Sequence, residues 1–312
     1  MVDTVRVIAA KKEVTYGTDP VPTLAADAVL TRNYSTTPVE VDQIDRNLDS
    51  RRYGATRQKP SNVRQRSSYE VELAGSGAAG TAPAWMRLLS AAGMRDAVIA
   101  AGATATQTFA QPSDPKGSLA EYSWTDNQLR KALGQRGSFS LDFTAGALPF
   151  ASLTMTGLLP VAAPRAVEVP GAADFTKWIE PVEVNNENSL FTLDGFGAVT
   201  RSLRIDAGVN ANLRSLVGAR YIKSGDHNAT ARVVIEAPSI AAKDYLAKLQ
   251  TGDLVAWKFT HGKTAGNIVE VDGTRAQITS IAEQEEDDTL MFDIGLLLTV
   301  SGDVEDLTIV AK

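Results

Sequence analysis

Apolar and polar residues alternate with a period of two along much of the chain, and helical spacing is confined to two short stretches. In Ser138–Phe143, Phe139, Leu141 and Phe143 share one face while Ser138, Ser140 and Asp142 share the other. Ala151, Leu153 and Met155 likewise oppose Ser152, Thr154 and Thr156, and Leu203, Ile205 and Ala207 line one side of the next such segment. Farther on, Leu290, Phe292, Ile294, Leu296 and Leu298 fall on a common face. Half-polar strands of this kind predict antiparallel sheets with one solvated face, not a parallel sheet covered on both sides. The two helical stretches are Pro83–Ala92, with Gly93 as a left-handed stop, and Ile240–Thr251. The second has Ser239 as its N-cap, an apolar stripe of Tyr245, Leu246 and Leu249, and Gly252 as its stop.

The order of these elements repeats. The segment 67–93, SSYEVELAGSGAAGTAPAWMRLLSAAG, matches 228–252, NATARVVIEAPSIAAKDYLAKLQTG, as alternating strand, Ala-rich corner, short helix and glycine stop. ASLTMTGLLP matches TLMFDIGLLL around Gly157 and Gly295, and VEVDQIDRNLDSRRYG loosely parallels RSLRIDAGVNANLRSLVG. The Pro-rich run 158–175 between the copies reads as a linker. The expected organisation is a tandem pair of β units, residues 1–164 with an N-terminal arm over about 1–27, and residues 165–312.

Composition narrows the chemistry. The 312 residues contain no Cys, so neither disulfides nor thiolate catalysis operates. The net charge of −6 disfavours a general nucleic-acid binder, which needs clustered Lys and Arg. No apolar run reaches the length of a membrane span, and the first residues do not read as a signal peptide. His227 and His261 are the only histidines, and both read as structural. Gly75, Gly77 and Gly80 match the G-x-G-x-x-G spacing of a dinucleotide loop. The preceding strand, however, exposes Glu70 and Glu72 on one face. Asp96 precedes an apolar run instead of ending one, and the second copy keeps the corner as EAPSIAAKD without the glycines. They are therefore expected to form a flexible strand-to-helix corner, with no cofactor and no enzymatic activity.

Three stretches carry a family resemblance: KKEVTYGTDP, SSYEVELAGSGAAGTAPAWMRLLSAAG and KALGQRGSFSLDFTAGALPFASLTMTG. Together they resemble the major tail tube proteins of long-tailed bacteriophages over most of residues 6–160. The second copy is more diverged. The resemblance implies a mainly β fold of β-sandwich units, each with a short flanking α-helix. Such units form a ring with a β-barrel lumen, and rings stack into a tube through which DNA passes without specific binding. With two units per chain, trimeric pseudo-hexameric rings are expected, hexamers of chains being the alternative. The implied location is the virion tail, after assembly in the host bacterial cytoplasm, with other tail proteins at the tube ends.

Two charged stretches stand out. Arg46, Arg51, Arg52, Arg57, Lys59, Arg64 and Arg66 crowd a segment relieved by Asp45 and Asp49, expected to be a long hairpin or loop. It is either solvated, a contact arm to the next ring or neighbouring chain, or a DNA contact. Glu283, Glu285, Glu286, Asp287 and Asp288 form an acidic turn that is either a solvated hairpin tip or the receiver of the basic arm. Because each neutralised phosphate adds salt-dependent affinity, a lumen for sliding DNA should be neutral or negative, so the basic segment is expected to be a contact arm between rings, with Glu283–Asp288 a candidate receiver. Trp85, Trp124, Trp178 and Trp257 read as core or subunit-contact residues. Thr15–Thr23 reads as an arm across a neighbour or a frayed end. Two other functions fit the pattern, a β-sandwich adhesin of a phage or cell surface and a secretion-system tube protein.

Overall fold

Among the described residues the alternation is realised as twenty strands, every pairing between them antiparallel. A computed structural model describes residues 6–49, 53–302 and 304–312. The first half contains β1 (Arg6–Lys12), β2 (Ala28–Val29), β3 (Arg32–Ile44), β4 (Lys59–Glu72), β5 (Val98–Ala100), β6 (Thr104–Thr108), β7 (Leu119–Thr125), β8 (Gln128–Thr144), β9 (Phe150–Leu158) and β10 (Arg165–Val167). The second contains β11 (Ser189–Leu193), β12 (Phe196–Gly197), β13 (Thr200–Asp206), β14 (Ala211–Leu216), β15 (Ala219–Ser224), β16 (Thr230–Glu236), β17 (Leu254–His261), β18 (Val269–Glu286), β19 (Thr289–Leu298) and β20 (Thr308–Ala311). Helices are limited to α1 (Leu24–Asp27), α2 (Met86–Leu89), prolonged by a 3-10 turn at Ser90–Ala92, and α3 (Tyr245–Thr251).

In the first half the strands pair in the order β3–β4–β9–β8–β7–β1, with β10 also on β8. In the second they pair in the order β13–β16–β19–β18–β17–β11, with β20 also on β18. The halves are joined by backbone ladders: β8 pairs with β13, Asp142 opposite Arg204, and β6 pairs with β20. Apart from the eighteen described strands joined in this way, β14 and β15 make a separate two-stranded hairpin. Among the described residues no closed barrel forms; the result is a large antiparallel sheet.

One main core spans both halves. Its buried residues run from Tyr69, Phe139 and Phe143 to Val233, Phe259 and Ile309, and the Phe143 and Phe259 rings lie 4.5 Å apart. A smaller cluster holds Ala9, Leu24, Tyr122, Trp124 and Leu129. The halves therefore do not have separate cores. Trp85, Trp124 and Trp257 are buried, and the indole of Trp178 donates to the Ala28 carbonyl at 3.0 Å.

Four local expectations change. The linker is not free, since β10 lies on β8 and Lys131 N donates to Pro164 O. From residue 6 onward the N-terminal stretch is no arm: β1 pairs with β7, and the Glu13 carboxylate accepts from Gly17 N, Gly134 N and Ser118 Oγ, tying down the turn before Thr23. The α3 cap is Asp244, which accepts from Ala247 N at 2.9 Å, whereas Ser239 closes the turn before it. Leu246 points to solvent while Tyr245 is buried, and Leu290 is exposed beyond the end of the core face. The stops at Gly93 (φ 100°) and Gly252 (φ 71°) are left-handed as expected.

Inside the first half lies a polar knot on fully buried Glu121, whose carboxylate accepts from Tyr34 Oη at 3.0 Å and Ser67 Oγ at 3.0 Å, with Gln65 at 3.4 Å. Burial raises its pKa, and the hydrogen bonds only partly oppose that. The folded state therefore holds this proton more tightly than the unfolded chain. Its contribution to stability is fully present below the ordinary value of 4.5 and is lost as pH rises through the folded-state titration. Glu121→Gln should consequently gain stability relative to wild type as pH is raised from about 5 to 8, by up to ~1.4 kcal/mol per pH unit inside the titration window. Urea unfolding of both proteins across that range checks it; a pH-independent difference contradicts a buried titrating carboxyl.

Candidate functional site

The glycine-rich corner has no room for a ligand. It follows β4, which is flanked by antiparallel β3 and β9, so no βαβ unit exists there. Gly75 N donates to Asn267 Oδ1 at 2.8 Å, and Gly77 N donates to Gly266 O at 2.9 Å. A Cβ on Gly75 would stand 2.1 Å from Gly266 O, and one on Gly80 (φ +72°) 2.3 Å from Gly102 N. The glycines thus serve close backbone contact, that of Gly75 and Gly77 with the loop after β17, and the corner is packed, not flexible. Asp96 pairs with Lys12. A half-open cleft of about 520 Å³ beside α2 is lined by Arg87, Asp96, Gln107 and Lys177 among others, and offers no nucleophile–base pair.

Both histidines have structural partners. His227 stacks on Phe109 at 3.9 Å, with Nε2 2.8 Å from Asp306 Oδ2. His261 lies between Ser189 Oγ (2.9 Å) and the Val182 carbonyl (3.1 Å). Burial lowers its pKa, favouring a neutral ring that donates to Val182 and accepts from Ser189. At 2% exposure it cannot meet a substrate. Among the described residues no cluster of His, Asp and Glu could hold a metal, and no helix is long and apolar enough to cross a membrane.

The charged stretches occupy two exposed hairpins. Arg64 and Arg66 lie on β4, and Lys59 begins that strand opposite Ile44. Arg46 and Arg57 are exposed in the connection between β3 and β4, whereas Arg51 and Arg52 lie outside the described residues. Arg64 is held by Glu40 (2.7 Å) and Asp42 (3.0 Å), and Arg66 approaches Glu40 at 3.7 Å. The Glu40 hydrogen bond is the main cause that raises the Arg64 pKa. Glu283, Glu285 and Glu286 end β18, and Asp287 and Asp288 form its turn into β19 with φ of 49° and 60°. Two successive positive φ values mark a tight two-residue hairpin turn. Glu286 pairs with Arg201 at 2.9 Å. Among the described residues no ion pair joins the basic and acidic stretches. Along the sheet β3 and the outer half of β18 stand at opposite ends of the order β3–β4–β9–β8–β13–β16–β19–β18. Seven strand spacings separate them, about 34 Å.

Sequence patterning did not reveal that these hairpins also carry the open edges of the sheet. Among the described residues β3 pairs only with β4, and β18 beyond Gln277 pairs only with β19. A second missed feature is the β14–β15 hairpin, which packs back on the first half. Ile222 N donates to Tyr16 Oη at 2.6 Å and the Arg136 guanidinium donates to Ile222 O at 2.9 Å. Only the loose similarity of 39–54 to 201–218 hinted at it.

A family model described as phage tail tube protein matches residues 4–303, nearly the whole chain. No curated protein is significantly similar to the chain.

Two expected outcomes follow from the corner. Gly75→Ala should destabilise the protein by about 1–3 kcal/mol, because the added methyl meets backbone that cannot swing away; an unchanged urea midpoint would contradict the packed corner. Titration with NAD or ATP should give no calorimetric heat of binding, and micromolar affinity abolished by Gly77→Val would restore the nucleotide reading.

Proposed function

The chain belongs to the phage tail tube protein family, and from that premise we propose that it is a structural, non-enzymatic subunit of a tail tube, closing into rings that stack around a DNA channel. The observation that carries the ring is the repeated strand order, β3–β4–β9–β8 followed by β13–β16–β19–β18, with the first set already joined to the second. Two like units per chain favour three copies in a pseudo-sixfold ring over six. Eight strands in each of three copies make twenty-four, about 115 Å around at ~4.8 Å per strand before tilt, or about 37 Å across. Closure would also remove both open edges, as barrels do.

The sheet face turned away from the core is suited to a channel wall. It carries Ser138, Ser140, Ser152 and Thr154, and its charges come in opposite pairs such as Arg232 with Asp293 and Arg32 with Glu70. A wall of balanced charge does not hold phosphates tightly. The charged hairpins are assigned to contacts between copies, and tube ends to other tail proteins, within a virion tail assembled in the host cytoplasm. Family membership favours this reading over an adhesin; a secretion-system tube would share the same ring.

Electron microscopy of the concentrated protein tests it. The expected image is rings or stacked tubes with a central hole, and native mass spectrometry should give a three-chain species as the smallest closed ring. A strictly monomeric protein at millimolar concentration would overturn the reading.

A further inference from the structure

The ladder that joins the two halves specifies how copies should join each other. Two β-bulges serve as landmarks. Just past its bulge β8 places Arg136 opposite Thr156 of β9, and just past its own β18 places Ser280 opposite Gly295 of β19. Thr156 also faces Arg66 of β4, which faces Thr37 of β3. Gly295 faces Arg232 of β16, which faces Arg204 of β13. Thr37 therefore occupies the position of Arg204. Counting on from Arg136 and Ser280, Glu286 occupies that of Asp142. Inside the chain Arg204 stands opposite Asp142.

Resting on the ring reading above, we propose that the open edge of β3 in one copy pairs antiparallel with the open outer half of β18 in the next, Thr37 opposite Glu286, repeating between copies the β13–β8 ladder found within each. The partner is a second copy of this chain. Three details bear on it. Glu283, Glu285 and Glu286 on that half of β18 come within two strands of Arg64 and Arg66 on β4, although those arginines already face Glu40 and Asp42 of β3 and the register sets Glu40 opposite Glu283. Ala207 N donates to Phe139 O and Ala145 N to Arg201 O at the ends of the internal ladder. By that alternation Arg204 and Asp142, and so Thr37 and Glu286, form a non-hydrogen-bonded pair with close side chains. Pro38 stands where Ile205 does and has no N–H, so the seam between copies lacks one hydrogen bond that the internal one can make. A proline and charged flanks on an edge also restrain indiscriminate strand pairing before assembly.

The basic connection inherits a place from the same correspondence. It joins β3 to β4 as the β14–β15 hairpin lies between β13 and β16, and that hairpin docks sideways on the adjoining unit through Tyr16 and Arg136. The described parts of that connection, residues 45–49 and 53–58, are therefore placed against the neighbouring copy within the ring, not against the ring above.

The chain's lack of Cys makes the seam directly testable. Thr37→Cys and Glu286→Cys in one chain, oxidised under ring-forming conditions, should give a covalent three-chain species that reductant dissolves. Mixing the two single variants should give a disulfide only between unlike chains. Arg204→Cys with Asp142→Cys is the control and should close within one chain. Normal rings that remain uncross-linked while the control closes would overturn the seam and leave the tube reading standing. Cross-links that appear only in stacked tubes, and not in isolated rings, would place the contact between rings and equally overturn it. Absence of both rings and cross-links would sink the seam and the tube reading together.

Discussion

The β8–β13 ladder is the interaction on which the rest of the molecule depends. It converts two four-stranded sets into one eight-stranded surface and lets a single core run beneath both. Each backbone group there is paired by its neighbour, so no water has to reach the seam. The same arrangement leaves the far edges of β3 and β18 with unpaired N–H and C=O groups. A protein with two long open edges must either blunt them or pair them. This chain does the first with Pro38 and its charged hairpins.

The two halves are held together by more than that ladder. Backbone meets backbone at Gly75 and Gly266, where even a methyl group does not fit. The Arg136–Ile222 and Tyr16–Ile222 hydrogen bonds fasten the second-half hairpin to the first. Rigid attachment matters for a ring: small angular errors between units would accumulate around it and prevent closure. Buried Glu121 tells a different story. It costs desolvation and ties β3, β4 and β7 together through Tyr34 and Ser67, a polar knot that trades stability for a defined arrangement of three strands.

Exposed ion pairs such as Arg201–Glu286 contribute roughly 0.2–1 kcal/mol or less each. They cannot hold an assembly by themselves; main-chain hydrogen bonds and apolar burial must provide the strength.

The sequence by itself determined the strand-rich class, the faces of β8, β9 and β13 and the glycine stops, because period-two alternation and glycine conformation are local properties. It also located both charged hairpins. What it could not reach were relations between residues far apart in the chain. The linker became β10, the supposed arm became β1, and the glycine corner proved to be packed, since each outcome depends on a backbone neighbour more than 30 residues away. Matching the copies at Gly157 and Gly295 was one residue out: the ladder sets Thr156 against Gly295. In a strand a one-residue slip turns every side chain to the opposite face. Only tertiary pairing, which counts bulges and partners, decides the register, and with it which edges of this chain stay open.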